Sequence, residues 1–323
     1  MGAADVVPGV SGGTIAFISG IYKELLDSVS AIKPSLFNVW RNEGFAGVWR
    51  KVNGNFLIAL LLGITVSIVS FAKLITYLMQ YYPIEIWSFF FGLILASIWY
   101  VGKQIKNWNL LVILGLILGT LSVYFLTTLP PLGANSSYLF LFFAGSIAAM
   151  AMILPGISGS FILLLLGAYT TVISAVGNQD IPIIAVVALG AVTGLIAFSS
   201  LLKYLLKLYH NTMMGVLTGF LIGSLGKIWP WKKDDVVYIK DVGEAANPVA
   251  LGDYGSLSAY MQNSSIEEYG RISNYRDQNI LPTTYEMINP ETSAEVLPAI
   301  FALAVGFSII FILEFIAKRK ANV

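Results

Sequence analysis

The chain has 323 residues, 57% of them hydrophobic and only 11% charged, with a formal net charge of +1. Soluble domains carry roughly 25% charged residues, so this composition excludes an ordinary water-facing surface and defines a polytopic, all-α membrane protein. The absence of cysteine excludes disulfides and thiolate metal sites, a single histidine, His210, excludes a histidine-cluster metal centre, and there is no basic surplus for nucleic acid.

In chain order, Met1-Gly-Ala-Ala-Asp5 lacks a basic leader region, so no cleavable signal is expected. An apolar but broken segment follows at 6–22, then a basic linker at 23–54. Apolar segments lie at 56–79, 86–101, 109–128, 138–154, 157–175, 181–202, 212–228 and 296–316. Several reach the length of about 20 residues that a helix needs to cross a bilayer. Residues 228–295 form a polar insertion with eleven acidic and five basic residues and no helical period. Tyr81, Tyr82, Trp99, Tyr100, Trp108 and Trp229, near segment ends, read as membrane-interface anchors.

Lysine and arginine mark the 23–51 linker, the loop at 103–106, the 203–207 stretch and the C-terminal Lys318-Arg319-Lys320, whereas the loops at 80–84, 129–137 and 176–180 have no basic residue. The positive-inside rule places the basic loops and the C-terminus in the cytoplasm, and the insertion outside. Lys227, Lys232 and Lys233 run against that bias, but long translocated segments follow it poorly.

Two stretches repeat. "PGVSGGT" (8–14) and "PGISGSF" (155–161) align at an offset of 147, which also matches Gly20 with Gly167 and Tyr22 with Tyr169. At an offset of 127, Gly63 matches Gly190, Tyr77 matches Tyr204, Gly92 matches Gly219 and Ser97 matches Ser224. The chain therefore divides into repeats at 1–130 and 131–323, each a broken hairpin, re-entrant or fully spanning, plus three transmembrane helices. With the orientation above, the halves run in opposite senses, the inverted-topology repeat of secondary transporters. The first motif has only seven residues before Pro8, so its first hairpin arm is expected to be short or missing.

Proline and glycine break the helix, and broken backbone at membrane depth survives only inside protein or against a wet cavity. Half-helix ends present unpaired amides that suit an anion. The substrate-binding candidates are Pro8, Gly9, Ser11, Gly12, Gly13 and Thr14, then Pro155, Gly156, Ser158, Gly159 and Ser160, together with Lys73 inside the first full span. A helix kink with small-residue packing would account for one such motif; two copies at matched positions favour a site. Asp5, matched by Met152 in the second half, is the candidate for coupling to H+ or Na+, with Glu24 beside it. No resident cofactor or metal is expected. The pattern G-x-x-x-x-G-K-[ST] is absent, which argues against a nucleotide-driven pump.

The stretches "GAADVVPGVSGGTIAFISGIY" (2–22) and "ILPGISGSFILLLLGAY" (153–169) resemble the bacterial polyprenyl-phosphate transporter family, long catalogued as membrane proteins of unknown function. The short first arm and the large 228–295 insertion depart from that resemblance. It implies a plasma-membrane flippase, not an enzyme, returning undecaprenyl phosphate from the outer to the cytoplasmic leaflet, with the lipid as its partner and the motif residues handling the phosphate. The alternative is a secondary transporter of a small soluble anion or amino acid, which would need a closed cavity where a lipid carrier needs a lateral opening. The sequence gives no oligomeric state.

Overall fold

A computed structural model describes residues 1–5, 11–129, 132, 135–239, 247–250, 272–289 and 293–321. A stub, α1 (Gly2–Asp5), precedes α2 (Gly12–Ile18), α3 (Tyr22–Ser30) and α4 (Leu36–Lys51). Then come α5 (Gly54–Tyr81), α6 (Pro83–Gly102) and α7 (Leu110–Thr128). The second half opens with α8 (Tyr138–Ile153), α9 (Gly159–Leu165) and α10 (Tyr169–Gly177), followed by α11 (Ile181–Leu208) and α12 (His210–Ser224). A small sheet of β1 (Lys232–Ile239), β2 (Asn247–Ala250) and β3 (Ile272–Asn279) follows, then α13 (Pro282–Ile288) and α14 (Val296–Ala321).

Among the described residues, α5, α6, α7 and α11 are long and apolar enough to cross a membrane, while α8 and residues 296–312 of α14 are apolar but shorter. The segment expected as one arm at 157–175 is instead two helices, α9 and α10, bent by 110°. Gly167 supplies the bend: at φ +69 it takes the left-handed conformation that ends a helix cheaply only at glycine. Gly20 does the same between α2 and α3, at φ +77. The linker at 23–54 is not bare coil either, since it holds α3 and α4.

Small residues set the helix contacts. Gly92 of α6 faces the Leu303 carbonyl of α14, and Gly306 of α14 faces the Phe89 carbonyl of α6. Likewise, Gly219 of α12 faces the Leu116 carbonyl of α7, and Gly119 of α7 faces the Val216 carbonyl of α12. Gly145 and Gly190 join α8 and α11 in the same way, and Gly2 brings α1 onto Ile64 of α5. Without a hydrophobic drive between helices in lipid, such close backbone approach supplies the contact energy.

Polar contacts gather the basic segments at one end. Lys203 of α11 pairs with Asp27 of α3 at 2.6 Å. The Lys106 amide donates to Asn211 at the start of α12, and Lys103 pairs with Glu314 of α14. The sheet sits at the opposite end of α6. There Ile84, Trp231, Ala294 and Ala299 form a small core.

The described part of the insertion is thus a folded cap, with an antiparallel sheet of order β2-β1-β3, a departure from an all-α chain. The β-branched and aromatic run Val236, Val237 and Tyr238 suits a strand, with Val237 opposite both Val249 and Tyr275. Two indoles staple the cap: Trp229 donates to the Ile280 carbonyl and Trp231 to the Ala294 carbonyl, each at 2.8 Å. Trp229 also stands edge-on to Phe91 of α6, so it joins cap to helix and is more than an interface anchor.

Two outcomes are expected. Gly306→Ala drives a methyl into the Phe89 carbonyl and should lower the thermal midpoint in detergent, at a cost of about 1–3 kcal/mol. Gly63→Ala, where an added Cβ meets nothing within 4 Å, should leave it unchanged or slightly raised. Glu295, just before α14, shares a hydrogen bond with Glu85; that bond first, then burial and the neighbouring charge, hold the Glu295 carboxyl above its usual range. The contact is complete below the usual glutamate range and is lost as pH rises through the raised value. Glu295→Gln keeps a donor without titrating, so its thermal midpoint should fall less than that of the wild type between acidic and neutral pH.

Candidate functional site

The two motifs meet. Ser11 caps α2 in extended conformation, its hydroxyl oxygen accepting from the Gly13 amide at 3.1 Å. The same hydroxyl donates across to the end of α8, 3.0 Å from the Leu154 carbonyl and 3.2 Å from the Met152 carbonyl. In return, the Gly156 amide donates to the Thr14 hydroxyl at 3.1 Å. Gly13 lies so close to α8 that a Cβ would stand 2.5 Å from the Ile153 carbonyl. Pro155, by lacking an amide, ends α8 at Ile153, and Gly156 turns the chain at φ +86. The hydroxyls of the first break therefore satisfy backbone groups left open by the second, as membrane depth demands.

Ser11, Thr14 and Ser158 are buried, as are Gly12, Gly13, Pro155, Gly156 and Gly159. Pro8 and Gly9 lie outside the described residues. The structure thus brings together Ser11, Gly12, Gly13, Thr14, Pro155, Gly156, Ser158, Gly159 and Ser160, with Asp5 against them.

Asp5 and Met152 occupy matched places. The Asp5 carboxylate accepts from the Gly12 amide at 2.7 Å, at the amino end of α2, and a Cβ on Gly12 would collide with it. A Cβ on Gly159 would collide with the Met152 side chain instead. The first motif therefore contains its own anion, and the second has a thioether there. With Gly12 bonded to Asp5 and Gly13 to Ser11, two leading amides of α2 already have protein partners.

At the second motif, Ser158 and Ser160 share a hydroxyl–hydroxyl bond of 2.7 Å, and Ser158 makes no capping bond to α9. Beside them runs a narrow cavity of about 10 Å³ lined by Thr127, Gly156, Ile157, Ser158, Phe161 and Lys227, among others. That volume holds about one water, so a phosphate needs the walls to part. The Lys227 ammonium lies 5.9 Å from the centre of the Phe161 ring. Lys227 was legible in the sequence only as a charge that opposed the topology rule; its signal was a lysine closing the apolar 212–228 segment, one turn past Ser224.

Two candidates lie elsewhere. Lys73 is exposed on α5. Glu24, exposed on α3, accepts from Asn53 at 2.7 Å and borders a different cavity.

A bundle of membrane-length helices with paired, buried, polar helix breaks defines a multi-pass membrane protein of the transporter class. Residues 1–246 match the family model described as undecaprenyl phosphate translocase-like. The chain is 52% identical over 233 residues to a polyprenyl-phosphate transporter of Vibrio cholerae, covering 72% of this chain and 76% of that protein. It is 31% identical over 261 residues to a polyprenyl-phosphate transporter of Staphylococcus aureus, covering 73% and 86%. The chain belongs to the undecaprenyl phosphate translocase-like family. No solved structure matches it.

Ser11→Ala removes a cap and the cross-bond to α8 together, and should cost about 1–2 kcal/mol of stability. Ser158→Ala removes only the bond to Ser160 and should cost less. Thermal unfolding in detergent, monitored by tryptophan fluorescence, ranks the two.

Proposed function

We propose that this chain carries polyprenyl phosphate, with undecaprenyl phosphate as the principal substrate, from the outer to the cytoplasmic leaflet of the bacterial plasma membrane. The names of its relatives support the substrate class. The single observation that carries the mechanism is the joint between the motifs. It is held by hydroxyls and amides, so when it parts it offers those groups to a phosphate head while the prenyl tail stays in lipid. No bond of the substrate changes, so the protein acts as a carrier and not as an enzyme.

Alternating access follows from two halves of opposite sense. Matched helices have equal lengths: α2 and α9 have seven residues each, α3 and α10 nine, α5 and α11 twenty-eight. The contacts also exchange partners, since α6 joins α14 as α12 joins α7, with residue 303 standing to 116 as 306 stands to 119. These correspondences support the division at 1–130 and 131–323 and rocking of one half against the other. The basic end, with the C-terminus, is read as cytoplasmic and the cap as extracytoplasmic.

Proton coupling runs through Asp5. As carboxylate it occupies the Gly12 amide, where a phosphate oxygen would otherwise bind. Protonation weakens that charge-assisted bond and frees the donor. An anion moving inward against 100 mV, negative inside, is opposed by about 2.3 kcal/mol per charge, which one accompanying proton cancels. Ser158 and Ser160, with Lys227 alongside, bind the head at the second motif, where no carboxylate competes.

The test is leaflet translocation of undecaprenyl phosphate in proteoliposomes under imposed proton or sodium gradients. Wild type should move the lipid, faster with a proton gradient directed the same way. Asp5→Asn should lose the gradient response, and Ser158→Ala/Ser160→Ala should slow transport by roughly tenfold, about 1.4 kcal/mol. A folded wild type that leaves the lipid in place but carries a soluble anion overturns the reading. Acceleration by sodium alone overturns the role of Asp5 as a proton site.

A further inference from the structure

We propose that the basic end of the bundle holds a second phosphate site, a cavity between α3 and the α4–α5 corner that receives a phosphate monoester head leaving the motif joint. The inference rests on the transport reading above for the source of the ligand, though not for its chemistry. The cavity has a volume of about 440 Å³, with Gly20, Lys23, Glu24, Asp27, Lys51 and Asn53 in its wall. That is within the range of small-molecule sites, and far larger than the 10 Å³ crevice at the second motif.

Its charge inventory selects an anion. Two carboxylates face it, but both are engaged: Asp27 pairs with Lys203 at 2.6 Å, and Glu24 accepts from the Asn53 amide at 2.7 Å. The Ser28 hydroxyl, also in the wall, donates to the Glu24 carbonyl. Lys23 and Lys51 have no ion-pair partner among the described residues. Three lysines thus meet two carboxylates, and the two uncommitted cations come from different elements, α3 and the end of α4. They can therefore converge on one ligand. A cation would meet only carboxylates that already have donors.

The location fits a release step. Gly20 joins α2 to α3, so the cavity and the motif joint lie at opposite ends of α2, whose seven residues span about 10 Å. A head group freed from the joint toward the basic end passes along a single short helix. The same chemistry would accept a soluble phosphate, and the two sources separate experimentally.

Full-length protein in neutral-lipid nanodiscs is exposed to inorganic phosphate or to farnesyl phosphate, a short polyprenyl phosphate, and lysine accessibility is read by amine acylation and mass spectrometry. Farnesyl phosphate is expected to protect Lys23 and Lys51 but not Lys33, which lies outside the wall. Lys23→Gln/Lys51→Gln should weaken its binding by about tenfold, whereas Lys23→Arg/Lys51→Arg should retain most of it. In proteoliposomes the glutamine pair should slow delivery to the basic-end leaflet while the thermal midpoint stays unchanged. Protection of neither lysine by either probe, with undecaprenyl phosphate transport intact and unaffected by the glutamine pair, overturns this site and leaves the transport reading standing. Protection by inorganic phosphate in a protein that moves no undecaprenyl phosphate supports the anion site, assigns it to a soluble ligand and overturns its part in lipid release.

Discussion

A broken backbone inside a membrane must find its hydrogen bonds within the protein. Here the second break finds them in the hydroxyls of the first, and the first finds them in its own Asp5 and Ser11. Ser11 reaches the carbonyls that close α8, and Gly156 reaches Thr14 near the start of α2. Gly13 permits the approach because a larger residue would meet the Ile153 carbonyl. The placement of α1, α2, α8 and α9 follows from this joint, and the longer helices are arranged around it. Apolar packing alone would hold the same residues permanently shut. In the proposed cycle, a joint made of hydroxyls and amides exchanges its partners for a phosphate at little net cost, because each lost bond has a replacement.

The joint is symmetric in backbone and asymmetric in charge. Asp5 fills the amide at one break, and Met152 stands at the corresponding place in the other. A carboxylate competes with a phosphate for the same donor, so in the proposed cycle one half responds to protonation and the other is left to the substrate. The ends of the bundle add a second asymmetry. At one, Trp229 and Trp231 tie a folded cap to α6 and α14. At the other, lysines surround an open polar cavity. Cap, joint and basic cavity thus form an ordered series along the bundle.

The membrane class, the duplication and the motif residues follow from the sequence because each rests on local information. Hydropathy reports burial in lipid without reference to any partner, and Pro155-Gly156 breaks a helix wherever it is placed. The matched Gly20 and Gly167 were visible as a repeat, and their left-handed turns explain it. The cap was harder to see, because its strands are short and their partners lie apart in sequence, so no single segment carries a period strong enough to announce a sheet.

What the tertiary structure decided is which polar groups are already occupied. The sequence offers Ser11, Thr14 and Lys73 for the substrate and Asp5 and Glu24 for coupling, with nothing to say which are free. Folding commits Ser11 and Thr14 to the joint and Asp5 to Gly12. It turns Lys73 outward and sets Glu24 in another cavity, while bringing Lys227 into one crevice with Ser158 of the second motif. Composition and spacing fix which chemistry a chain possesses. Hydrogen bonds between residues some 140 positions apart fix which of it is free, and those depend on helix packing that no local pattern encodes.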